Sequence, residues 1–200
     1  MPAGWPRTGL RIRAGARRRR AAIVFWDESG ASLLPVTRRT WAPVGHTPVI
    51  RHHFKWKRAS MAAGLCYGSR GGGAQLAFHH QPGAYDTDSL IGALGQLRRF
   101  LGGQKATLLW DGLPAHRSRA MRAWLGCQRS WLVVEPLPAY APDLNPVEPL
   151  WSNLKGVELA NLAGDTLDDI IAAAERGIQR IRHTHHLPFS FLRYCGLSLW

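Results

Sequence analysis

Two short apolar runs end in carboxylates. Ala21-Ala22-Ile23-Val24-Phe25-Trp26 gives way to Asp27-Glu28, and Ala106-Thr107-Leu108-Leu109-Trp110 gives way to Asp111. Continuous runs of this length, closed by polar turn residues, predict buried strands over Ala21–Asp27 and Ala106–Asp111 with an acid at each tip. Between them, extended segments near Thr37–Ala42, Ala59–Tyr67 and Gln75–His79 are separated by Pro and Gly signals, which predicts an antiparallel meander. The period then changes. Leu90, Ile91, Leu94, Leu97, Phe100 and Leu101 recur at helical spacing behind the capping residues Asp86-Thr87-Asp88, so a helix is expected to about Gly102. A helix near Arg117–Leu125, a strand over Trp131–Leu137, a Pro-rich loop and helices around Pro146–Leu154 and Thr166–Arg182 complete the pattern. Strands that are first antiparallel and then alternate with helices describe an α/β domain.

Composition supports one globular unit. The 200 residues, 46% of them hydrophobic, are enough for a real core. Charge is uneven: of a formal net charge of +13, seven positive charges lie in the first 20 residues, at Arg7, Arg11, Arg13 and Arg17, Arg18, Arg19 and Arg20. Residues 1–20 are therefore expected to be a disordered basic tail suited to nucleic acid, ahead of a domain over 21–200. A solvated leader is the plain alternative. No apolar stretch reaches the roughly 18 residues of a membrane span, and Ala21–Trp26 is too short for a signal peptide. Cys66, Cys127 and Cys195 are odd in number and widely spaced, which fits a reducing compartment. His183, His185 and His186 invite a zinc reading, but no Cys or carboxylate stands beside them at ligand spacing.

A third acid comes from Pro142-Asp143-Leu144-Asn145-Pro146-Val147-Glu148-Pro149-Leu150-Trp151, where a helix opening at Asn145-Pro146 carries Glu148 in its first turn. Two strand-end aspartates and a helix-borne glutamate form an oxygen-rich set suited to Mg²⁺ or Mn²⁺, which take carboxylates and keep positions open for water and phosphate. Each acid also has a plainer role. Asp27 and Asp111 can serve as polar strand exits into turns. Glu148 stands where a capping box would turn it back to the Asn145 amide, and Asp143 competes with it for the third place. Lys155 lies seven positions past Glu148 and so on the same helical face, placed to meet a phosphate or simply to face solvent. His116 is a candidate to meet a phosphate, to orient Asp111, or to start the helix that follows.

These motifs resemble the DDE transposases of the mariner superfamily, in the bacterial insertion-sequence branch. The likeness rests on Phe25-Trp26-Asp27-Glu28-Ser29-Gly30, on Arg38-Arg39-Thr40-Trp41-Ala42-Pro43-Val44-Gly45-His46-Thr47-Pro48, on Trp110-Asp111-Gly112-Leu113-Pro114-Ala115-His116-Arg117-Ser118, and on the Pro142 segment running to Lys155. They follow the family's order, and 36 residues lie between Asp111 and Glu148. The resemblance implies a ribonuclease-H-like mixed sheet flanked by helices, with the first strand beside the one carrying the second acid. It selects Asp27 over Glu28; adjacent strand residues face opposite ways, so Glu28 must do something else. It further implies that Asp27, Asp111 and Glu148 are catalytic residues holding two Mg²⁺ or Mn²⁺ ions, and that cleavage and strand transfer act on element ends and target DNA, a TA target being typical.

By charge and position, the Arg17–Arg20 run, His116 and Lys155 are the candidate DNA contacts. The same resemblance implies a homodimer in the DNA complex and a cytoplasmic, nucleoid-associated protein. Gly112 stands where many relatives carry Asn, and Pro149 follows the helix-borne acid. Only about 20 residues precede the first strand, so the family's helix-turn-helix half is expected to be missing, as in a truncated copy or the downstream product of a split reading frame. The competing classes are another ribonuclease-H-like nuclease and a noncatalytic DNA-binding remnant.

Overall fold

The computed structural model describes residues 5–52, 57–138 and 141–198. Helix α1 (Trp5–Arg19) precedes strands β1 (Ala22–Ser32), β2 (Arg58–Tyr67) and β3 (Ala74–Pro82). Helix α2 (Thr87–Phe100), strand β4 (Ala106–Trp110), helix α3 (Arg119–Cys127) and strand β5 (Leu132–Pro136) follow. Helices α4 (Val147–Val157), α5 (Leu167–His183) and α6 (Leu187–Tyr194) end the chain. The five strands form one sheet in the order β3-β2-β1-β4-β5. β1, β2 and β3 run antiparallel, whereas β1, β4 and β5 run parallel, giving the mixed sheet that the pattern predicts.

The sheet divides the core into two layers, as strand alternation requires. Ile23 and Phe25 of β1 face α1, α4, α5 and α6, packing with Ile12, Leu150, Leu154, Ile178 and Phe191. Ala22, Val24 and Trp26 face the other way, toward Leu90, Leu94 and Leu97 of α2 and Met121 of α3. Gly64 of β2 sits opposite Trp26, and a Cβ there would stand 3.1 Å from the indole. A small residue at this point lets the ring lie flat on the sheet.

Local signals account for the helix starts. Asp86 caps α2 in a reciprocal box with Ser89, and Thr166 does the same for α5 with Asp169. Three expectations fail. Residues 37–42 form no strand; the 25-residue excursion between β1 and β2 is held at one end by Asn161, whose side chain bonds both backbone groups of Arg38. Helix α6 went unforeseen because its apolar residues sit in a short segment opened by Pro188. Residues 5–19, expected to be disordered, form α1. Its Ile12 and Ala16 are buried in the core, Arg11 makes a two-pronged bond to Glu135 at 3.0 and 2.7 Å, and the Arg19 guanidinium reaches the carbonyls of Ala106 and Trp131. Two apolar residues four apart, Ile12 and Ala16, were a weak helical signal under a strong charge signal.

Candidate active site

Register brings the two aspartates side by side. In the parallel pair, Ala22 lies opposite Ala106 and Phe25 opposite Leu109, and the same offset carried two residues on sets Asp27 level with Asp111. Asp27 belongs to the face of β1 that α4 covers, and its side chain is almost fully buried. Trp151 of α4 donates its indole N–H to Asp27 Oδ2 at 2.9 Å. Asp111, just past β4, is about half-exposed. One of its oxygens accepts from the Leu113 amide at 3.1 Å and faces His116 Nδ1 at 2.9 Å.

Glu148 enters from the first turn of α4. The Asn145 amide donates to the Pro142 carbonyl at 2.8 Å, and the Asn145 side chain accepts from Val147 N at 3.2 Å. The capping box thus does not form, and Glu148 is exposed. Asp27, Asp111 and Glu148 together line one cavity of about 620 Å³, walled by Gly112, Leu113, Pro136 and Asn145. Asp143 lies exposed in the 3₁₀ turn Pro142–Leu144 and does not line it. A larger cavity of about 840 Å³ opens between β3, α2 and α5, but its carboxylate, Glu175, already pairs with His80 at 3.3 Å. The chemistry therefore points to the smaller one.

The environment drives the two aspartates apart. Burial, reinforced by the carboxylates of Glu148, Glu28 and Asp111 and opposed by the Trp151 bond, pushes Asp27 up to about 8. For Asp111 burial acts the same way, but the His116 and Leu113 bonds and the charges of His116 and Arg117 outweigh it and hold the acid below the usual carboxylate range. Opposed shifts within one cleft mark a site where a proton or cation is managed. Lys155 is half-buried and lowered by burial despite the pull of Glu148 and Asp27; its ammonium donates to Ser29 Oγ at 2.6 Å.

Glu28 turns to the opposite face, as alternation demands, and meets His116. That ring is buried, stacks on Trp110 with centroids 4.0 Å apart and planes 4° from parallel, and lies with Nε2 3.3 Å from Glu28 Oε2. Trp26 donates to Glu28 Oε1 at 2.6 Å. Burial lowers the affinity of His116 for a proton, yet its bonds to Asp111 and Glu28 raise it to about 9. An imidazole between two carboxylates donates at both nitrogens. His116 was expected to contact DNA, and its burial excludes that: it grips Asp111 instead. The roles of Glu28, Trp151 and Trp110 carry no motif signal beyond the alternation that turned Glu28 away.

The basic run is not at this site. Arg19 is held at Ala106, the start of β4, whereas Asp111 follows its end, about 17 Å away at 3.3 Å per residue. Arg17, Arg18 and Arg20 are exposed at that same far end.

The donor set suits a divalent cation, since three carboxylates share a cleft in which burial and the neighbouring carboxylates hold one aspartate largely protonated. Among the described residues no three acids, histidines or cysteines are already gathered as closely as metal ligands. Asp27 and Asp111 are instead held by Trp151 and His116.

Residues 22–171 match the family model of the DDE superfamily endonucleases. No curated protein matches the chain. Among solved structures, the chain is similar to the Mos1 transposase paired-end complex with left transposon end, at 20% identity and a TM-score of 0.60 over 95% of this chain and 60% of that one. It is also similar to the mariner Mos1 paired end complex with Mg, at 20% identity and a TM-score of 0.62, and to the complex with Mn, at 22% and 0.56. Both again cover 95% of this chain and 60% of the other. The shared architecture is the ribonuclease-H-like fold, and the chain spans about 60% of the length of these relatives.

Proposed function

The chain belongs to the DDE superfamily endonucleases, and on that footing we propose that it is the catalytic domain of a mariner-superfamily transposase from a bacterial insertion sequence, cutting DNA at the element ends and joining them to a target. The observation that carries this reading is the convergence of Asp27, Asp111 and Glu148 on one cavity, from two in-register strand ends and one helix start. The bound Mg and Mn of the Mos1 complexes lend support by analogy.

Asp27, Asp111 and Glu148 would hold two Mg²⁺ or Mn²⁺ ions, which supply Lewis acidity to a phosphodiester and lower the pKa of an attacking water. The chain's own groups do the rest. Trp151 holds one Asp27 oxygen so that the other can face the cavity. His116 fixes Asp111 through Nδ1, and Lys155, on the face of α4 that carries Glu148, brings positive charge toward the phosphate next to the scissile one. Asp27 is the group on which a proton rests before metal enters. The reaction is two in-line displacements at phosphorus: water frees a 3′-hydroxyl, and that hydroxyl attacks target DNA.

Arg17, Arg18, Arg20 and Lys155 are the DNA-facing cations of this reading. A homodimer in the DNA complex is supported by Trp41, Val44 and Val49, which are exposed on the excursion between β1 and β2 and present apolar surface without a cover. The reading puts the protein in the cytoplasm with the nucleoid; among the described residues no helix is long and apolar enough to cross a membrane. The test is Mg²⁺-dependent nicking and strand transfer on DNA carrying the element's terminal repeats. Nicking lost in Asp111→Asn supports the assignment; nicking without any strand transfer would reduce it to a nuclease.

A further inference from the structure

We propose that the pole of the sheet opposite the acids is a second duplex-DNA surface, holding a segment other than the one in the cleft. Three segments meet there. Arg17 to Arg20 end α1, and Arg19 anchors them on the carbonyls of Ala106 and Trp131. Arg98 and Arg99 end α2, with the Arg98 guanidinium 5.5 Å above the Trp131 ring, and Lys105 accepts the Ala22 amide through its carbonyl at 2.7 Å. Arg129 lies between the end of α3 and Trp131, whose carbonyl accepts from Ala106 N at 2.8 Å.

These stretches contain no Asp or Glu, and every cation in them except Arg19 is exposed. Part of the charge answers the helices themselves, because α1, α2 and α3 all end at this pole. Three helix C-termini amount to about −1.5 charges, against eight cations, which leaves a surplus of about +6. That surplus exceeds what the fold needs. Exposed cations spread over a rigid end are what phosphates of a duplex meet without regard to sequence.

Position decides which duplex. The strand between the pole and Asp111 is about 17 Å long. A straight duplex seated across the strand ends that carry the acids lies along that end of the sheet, with the pole at the other end of the strands. The pole takes a second segment.

The inference rests on the DNA-processing reading above and is separable from it. One exposed cation is removed from each stretch, with Arg99 and Lys105 both taken, in an Arg18→Ala, Arg99→Ala, Lys105→Ala, Arg129→Ala variant of the whole chain. On 10-bp duplexes, straight rods of about 34 Å, the slope of log K against log salt should fall by about 3 to 4 if all four meet phosphates. Native mass spectrometry with Mg²⁺ should find two duplexes per wild-type chain at saturation and one per variant chain. A variant restoring charge, with Arg18→Lys, Arg99→Lys and Arg129→Lys and Lys105 kept, should return the slope, separating charge from folding. An unchanged slope, or a single duplex per wild-type chain, overturns the proposal. Capture of phosphatidylserine vesicles with an unchanged duplex slope would instead assign the pole to an anionic membrane. If neither chain nicks while the slope still falls, the catalytic reading fails and the pole stands.

Discussion

Trp151 Nε1 and Asp27 Oδ2 are 2.9 Å apart, with both side chains buried. This bond opposes the burial and crowding that raise the Asp27 pKa. Trp151→Phe keeps most of the ring and removes the N–H. We expect a stability loss of about 1–3 kcal/mol from the unsatisfied acceptor and a fall in Mn²⁺ affinity of roughly 10-fold or more. Calorimetric titration of Mn²⁺ into folded variant checks it; unchanged affinity would mean that Asp27 orients itself.

Glu28 acts on Asp111 at one remove, through His116. Glu28→Gln preserves shape but leaves the buried ring with a carboxylate on one side only. The raised proton affinity of His116 should then drop, which ¹⁵N shifts of the imidazole report directly, and Mn²⁺ binding should weaken by about 10- to 100-fold as for other groups that brace a ligand. His116→Ala is harsher. It strands two carboxylates, Glu28 deeply and Asp111 partly, and should cost about 3–5 kcal/mol, the range for breaking a buried pair.

The metal-free chain should lose stability as pH rises. The folded pKa of Asp27 is raised from 3.8 to about 8, so between those values the folded state holds a proton that the unfolded state has released. That contribution is complete below about 4 and gone above about 8. His116, raised from 6.5 to about 9, adds a second loss over its own window. Melting temperature should therefore fall by on the order of 5 °C or more from pH 5 to 8.5. Asp27→Asn should flatten the slope below pH 6.5 and leave only the His116 share above it. Saturating Mg²⁺ should oppose the fall, because a cation favours the ionised carboxylates. A melting temperature that rises over this range would show that Asp27 is ionised in the metal-free cleft.

Much of this was legible because it depends on local pattern. The apolar runs before Asp27 and Asp111 set buried strands with acids at their tips, and alternation alone sent Asp27 and Glu28 to opposite faces. What Glu28 meets there was not legible. His116 lies 88 residues away, and only the β1–β4 pairing brings them together. The alternative capping box of Glu148 does not form, because Asn145 gives its amide to Pro142 in a 3₁₀ turn, a local competitor that Pro-rich sequence does not rank against the box.

In the basic N-terminal segment charge pattern and packing disagree most, and that disagreement yields the sharpest remaining test. Seven arginines in 20 residues outweighed the modest apolar spacing of Ile12 and Ala16, although burial of those two residues is what orders α1. If α1 is part of the core, Ile12→Ala should cost about 2–4 kcal/mol, since it deletes a large buried side chain beside Phe25 and Leu109. Arg11→Ala should cost far less, about 0–1 kcal/mol, because its bond to Glu135 is solvent-exposed. Urea melts of the two variants separate the alternatives. A disordered tail predicts no change for either, an electrostatic strap predicts the reverse order, and a packed helix predicts a large effect at Ile12 with little at Arg11. Removing residues 1–20 should then lower stability together with DNA affinity, so that an affinity loss in such a deletion cannot be assigned to the arginines until the Ile12→Ala chain has been measured beside it.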